Sequence, residues 1–147
     1  LKNHENKLFE AVYRGSIEDT KSALRSGANI DSLDEDARTV LIHATIDRNI
    51  ELVKFLLENG ADVNIKDFQK MTPLHFAAQN YDIDTCKCLV AAGAVIDAQD
   101  DNGNTPLWRA EFESVGSTVL QQFLLLKGAN EDLKNYHDVS PKDLKQG

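Results

Sequence analysis

A 33-residue echo runs through this chain and limits what it can become. Thr39, Thr72 and Thr105 stand 33 residues apart, and so do Gly27, Gly60 and Gly93. Asp34, Asp67 and Asp100 keep the same step, always five residues ahead of the threonine. Each glycine is followed by alanine, in Gly27-Ala28-Asn29, Gly60-Ala61-Asp62, Gly93-Ala94-Val95 and, after a longer interval, Gly128-Ala129-Asn130. A fixed period of this size means stacked units sharing one continuous core, not a globule around a central pocket. Such a body offers an extended surface before it offers a catalytic cleft.

Composition narrows the partners. With 147 residues, 41% of them hydrophobic, the chain can bury a substantial core, and its 27% charged residues form no long single-sign run of the kind that marks disorder. Apolar runs such as Phe123 to Leu126 fall far short of the roughly 20 residues of a membrane span, so no membrane role is expected. No signal-like stretch opens the chain, which suggests a cytoplasmic protein, although the start at Leu1 leaves room for an upstream segment that would change this. A net charge of −8 disfavours nucleic acid as the principal partner and suits a basic protein. Cys86 and Cys88 are too few for a disulfide framework, and on a helix they point about 200° apart, too far to share a metal. Their registers match Val53 and Phe55 one period earlier, so they read as packing residues in a reducing compartment.

The best copy of the repeat runs Asp67-Phe68-Gln69-Lys70-Met71-Thr72-Pro73-Leu74-His75-Phe76-Ala77-Ala78 and ends Leu89-Val90-Ala91-Ala92-Gly93-Ala94. Proline suits the first turn of a helix, where no N–H is needed, and the preceding threonine can cap the free donors. Glycine after the second helix accepts the left-handed backbone that ends it. These residues resemble the ankyrin repeat, whose length is 33 and whose signature is T-P-L-H-x-A. The resemblance implies an all-α solenoid of antiparallel helix pairs linked by β-hairpin or finger loops. The repeats fall at about 3–33, 34–66, 67–99 and 100–134, with a partial unit over 135–147 from Ser140-Pro141, all in a single domain. The polar opening Lys2 to Lys7 and the lysines of Ser140-Pro141-Lys142-Asp143-Leu144-Lys145 read as capping ends. The fourth unit takes 23 residues from Thr105 to Gly128 where the second and third take 21, which places two inserted residues in the turn near Glu113-Ser114-Val115-Gly116-Ser117. That insertion is either a functional loop or a neutral change of length.

No catalytic constellation emerges. His4, His43, His75 and His137 have no partner at metal-binding spacing, and no glycine loop cradles phosphate. The phased aspartates read as turn stabilisers, and the resemblance implies that His75 hydrogen-bonds within and between repeats. A non-enzymatic protein is expected, without cofactor or metal. The resemblance further implies binding of another protein by a monomer through a concave groove and its finger tips. By register the partner-binding candidates on the fingers are Glu35, Asp36, Arg38, Lys66, Phe68, Gln69, Met71, Asp101, Asn102 and Asn104. On the inner helices they are Arg14, Asp47, Phe76, Gln79, Asn80, Trp108, Arg109, Phe112 and Glu113. Phe68 and Met71 are expected to stand exposed and, with Phe76, Trp108, Arg109 and Phe112, to form an apolar strip flanked by acids, unless some pack on the next finger. Trp108 takes the place of the motif's histidine, which puts the local hydrogen bonding in doubt. The sharper functional reading is an inhibitor that neutralises a basic effector; the alternative is a targeting or regulatory arm of a larger enzyme or receptor.

Overall fold

The computed structural model describes residues 2–114 and 116–145. Helices pair in sequence: α1 (Lys2–Tyr13) with α2 (Ile17–Arg25), α3 (Val40–Ile46) with α4 (Ile50–Glu58), α5 (Pro73–Gln79) with α6 (Ile83–Ala91), and α7 (Pro106–Glu113) with α8 (Val119–Leu126); α9 (Pro141–Leu144) follows. The first members stack on one another, α1 on α3, α3 on α5, α5 on α7 and α7 on α9, and make an inner column. One buried cluster threads the stack, from Leu8 and Val12 through Leu41, Leu52, Leu56, Leu74, Leu89 and Leu107 to Leu120 and Leu124. Its members recur at helical spacing, so each pair alone exposes an apolar face that the next pair covers.

Local chemistry sets the helix ends. Thr39, Thr72, Thr105 and Ser140 accept from the N–H three residues ahead, and Ser16, Asn49 and Asp82 cap α2, α4 and α6 in the same way. After each outer helix a glycine takes positive φ, as at Gly60 (φ 87), and the alanine behind it donates back into the last turn, Ala61 N to Leu56 O at 3.0 Å. The repeated Gly-Ala pair is therefore a helix stop whose alanine turns toward the core.

Among the described residues no strand forms, and the finger segments are tight turns where β-hairpins were expected. Successive fingers share a single backbone hydrogen bond each: Phe68 N to Asp36 O, Asp101 N to Gln69 O and Tyr136 N to Asn102 O, at 3.1, 2.9 and 3.0 Å. One bond per junction is too few for a ladder.

The inserted residues lie where the spacing placed them. Ser114–Thr118 separates α7 from α8, where Asp47–Asn49 and Asn80–Asp82 suffice in the preceding pairs; Val115 lies outside the described residues. The longer turn costs α8 its side-chain cap, since Thr118 Oγ1 accepts from the Gln122 side chain and from no backbone N–H of the helix among the described residues. Tyr81, from the neighbouring pair, supplies the missing acceptor. Its Oη takes the Leu120 N–H at 3.3 Å and lies 2.8 Å from Ser117 O and 2.7 Å from Gln121 Oε1. Tyr81→Phe is expected to lower stability by about 1–2 kcal/mol, the cost of a lost cap and its hydrogen bonds, read as the shift of a urea midpoint. An unchanged midpoint would mean that the inserted turn holds itself.

Candidate functional site

The inner face is built from four copies of one turn. In the first three fingers the aspartate's Oδ1 accepts two backbone N–H groups: from Asp36 and Arg38 at Asp34, from Gln69 and Met71 at Asp67, and from Asn102 and Asn104 at Asp100. Asn135 repeats the pattern in a fourth finger, accepting from His137 and Val139. Each turn also closes with a backbone bond between its ends, such as Asp67 N to Met71 O at 3.0 Å. This geometry forces positive φ three residues after the Asx position, where Ala37, Lys70, Gly103 and Asp138 stand. At Gly103 a Cβ would also meet the Tyr136 ring at 2.8 Å, so glycine serves both the turn and the packing of the next finger.

The second carboxylate oxygen is satisfied differently in each finger. His43 Nε2 lies 2.6 Å from Asp34 Oδ2, Arg38 Nε reaches Asp67 Oδ2 at 3.2 Å, and Arg109 Nη2 reaches Asp100 Oδ2 at 2.6 Å. Asp67 and Asp100 are buried, so each carboxylate needs its guanidinium to offset desolvation. Burial works to raise Asp34, but the bonds from His43 and from the Arg38 and Asp36 backbones outweigh it and hold its carboxyl below the ordinary value. His43 and Arg109 occupy the same register, nine residues after the aspartate. Phe76 stands there in the third repeat and cannot donate, so Arg38 crosses from the preceding finger and lies over the Phe76 ring at 5.3 Å.

These pairings sort the candidate residues. Met71, Phe76 and Asn104 are buried, which overturns the expected exposure of Met71 and breaks the continuous strip. Met71 packs with Ile42, Ile46 and Phe76, and Asn104 Oδ1 accepts from Asn135 Nδ2 at 2.8 Å. The position before the threonine thus ties a repeat to its neighbour. Arg38 and Arg109 are half-buried and engaged with carboxylates. Asn80 is half-buried, its carbonyl accepting from the Arg48 guanidinium. Trp108, also half-buried, stacks on Phe112 at 5.2 Å, and its buried Nε1 has no hydrogen-bond partner among the described residues. Exposed as expected are Glu35, Asp36, Lys66, Gln69, Asp101 and Asn102 on the fingers, and Arg14, Asp47, Gln79, Phe112 and Glu113 on the inner helices. Phe68 is the most open of the finger aromatics at 74%. Tyr136, 66% exposed at the matching place in the fourth finger, was missed because the two-residue insertion and Asn135 hide its phase.

The buried histidine and cysteine serve the scaffold. His75 is fully buried, accepts from Thr72 N at 3.1 Å and donates from Nε2 to Asn104 O at 2.8 Å, the bonds within and between repeats that the motif implies. Burial pushes the Cys86 thiol up to about 12, which leaves it an inert packing group. Among the described residues no three His, Cys, Asp or Glu side chains gather as a metal site, and no helix is long and apolar enough to cross a membrane. The family model for ankyrin repeats, in three copies, matches residues 8–100 and 59–135. No curated protein matches the chain.

The buried histidine gives the fold a pH signature. Burial lowers His75 from 6.5 to about 4, so the unfolded chain binds a proton between these values that the folded chain refuses. Its contribution is complete above the unfolded pKa and is lost as pH falls through the folded one. Urea titrations between about pH 7 and pH 4.5 are therefore expected to show stability falling, by up to roughly 3 kcal/mol from this residue. His75→Gln should flatten that slope while lowering stability at neutral pH. A variant that keeps the full slope would assign it to another group.

Proposed function

Because the chain belongs to the ankyrin-repeat family, whose repeats are protein–protein interaction modules, we propose that it binds a partner protein through its inner face and finger tips. The observation that carries this reading is Phe68. Its backbone is pinned by Asp36 O and by the Asp67 turn, yet its ring stands almost wholly in water. An exposed aromatic on a rigid support is costly to keep wet and cheap to use, because little order is lost on binding. Phe112, 63% exposed on the inner column and stacked on Trp108, offers a second anchor.

Charge supplies the rest of the reading. Asp36, Asp47, Asp101 and Glu113 are exposed on the same candidate surface, and the whole chain carries −8. A basic partner is steered toward such a face, and covering its basic site would inhibit it. The protein acts in this reading by occlusion, without catalysis or cofactor. A regulatory arm of a larger protein would use the same surface.

The partner, recovered from the native host and identified by mass spectrometry, is then titrated by calorimetry. Phe68→Ala and Phe112→Ala should each cost about 2 kcal/mol or more if these rings are hot spots, with association slowing as salt rises. Arg109 is a poor probe of binding, since its loss would strand the buried Asp100 carboxylate. Affinity unchanged in both aromatic variants, with the fold intact, would move the binding site elsewhere.

A further inference from the structure

Among the described residues, no finger precedes the first one in the row. Residues 2–5 stand in phase with 35–38 of the first finger, but here they are wound into α1, a helix of 12 residues where α3 and α5 have 7. Among the described residues, therefore, nothing packs on the outer side of the first finger. A cleft of about 610 Å³ opens there, lined by Phe9, Glu10, Tyr13, Leu33, Asp34 and Glu35 among others. Its floor is aromatic: the Phe9 and Tyr13 rings lie 6.1 Å apart, and both meet His43 edge-on. Its rim is acidic, no lysine or arginine lines it, and Glu10 and Glu35 form no ion pair among the described residues. The local field agrees, since burial and then the negative charges of Asp34, Asp36 and Asp47 raise the Tyr13 hydroxyl above its ordinary value.

One repeat further along, the molecule shows what such a place accepts. There Arg38 crosses to the Asp67 carboxylate and lies over the Phe76 ring, while Asp36 O accepts the Phe68 N–H. At the first finger His43 fills the donor's place that Arg38 takes at Asp67, and the groups still open are one Asp34 acceptor position and the Glu35 amide. Asp34 has given three of its acceptor positions to Asp36 N, Arg38 N and His43, which leaves one of a carboxylate's four. Glu35 holds the register of Phe68, and among the described residues no neighbouring finger receives its N–H. Resting on the partner-binding reading above, we propose that this cleft seats an arginine or lysine side chain carried on an extended segment of the partner protein. The segment's carbonyl takes the Glu35 N–H, its aliphatic stem covers Leu33 and Tyr13, and its charge meets Asp34, Glu10 and Glu35. The occupant completes the row as a missing finger would.

The test uses a blocked pentapeptide, Gly-Ser-Arg-Ser-Gly, and the same peptide with citrulline in place of arginine, titrated into the labelled protein by NMR. Arginine peptide is expected to shift the amides of Leu33 to Glu35 and the Phe9 and Tyr13 rings, saturating in the millimolar range. Citrulline, and separately Glu10→Gln with Glu35→Gln, should weaken this about tenfold by removing the charge-assisted bonds. Shifts spread over Asp101 and Glu113 alike, or equal binding of citrulline, would overturn the proposal. So would movement of the same amides with protein concentration alone, which would give the cleft to a second copy. With the partner in hand, binding that falls with Phe68→Ala but ignores the Glu10 and Glu35 changes defeats the cleft alone; indifference to all of them defeats the groove reading as well.

Discussion

A single side-chain oxygen holds each finger in shape, and the inner face is arranged around its needs. The Oδ1 of Asp34, Asp67 and Asp100 gathers two amide donors that no strand ladder satisfies, which closes the turn and fixes its left-handed residue. The other oxygen must then find a donor, because a buried carboxylate left alone costs several kcal/mol. His43, Arg38 and Arg109 answer that need from three different places. Asn135 avoids it by carrying an amide, whose nitrogen donates to Asn104. Side chains that looked available to a partner are spent on this task.

What is left for recognition is whatever the scaffold does not use. Phe68, Tyr136 and Phe112 keep their rings in solvent, with Glu35, Asp36, Asp47, Asp101 and Glu113 around them. One set of residues fixes the backbone, and in the proposed reading the second set, rings largely in solvent, is what meets a partner. Rigid presentation matters because every rotor frozen on binding subtracts from affinity.

Much of this was legible in the chain because the period exposes it. The caps at Thr39, Thr72 and Thr105, the Gly-Ala stops, the turn aspartates and the place of the two inserted residues depend on bonds spanning a few positions. Met71, Phe76 and Asn104 misled, since each looks like a finger or groove residue in its own repeat. Their burial comes from residues about thirty positions away: Ile42 for Met71, Arg38 for Phe76, and Asn135 for Asn104. Tyr136 escaped for a related reason, as the insertion breaks the count that would have aligned it with Phe68. Tyr81 carries no motif at all, yet it caps α8 across the repeat boundary.

By itself the sequence determined the repeating unit, its helix ends and its turns, because capping and turn bonds are local and the apolar period is one-dimensional. Only the tertiary structure decided which donor meets which buried carboxylate and which apolar side chain stays wet. Those outcomes depend on the approach of neighbouring repeats. Where Phe76 occupies the donor's register, Arg38 must come from the finger before it; where no finger packs beside Leu33 and Glu35, a cleft remains.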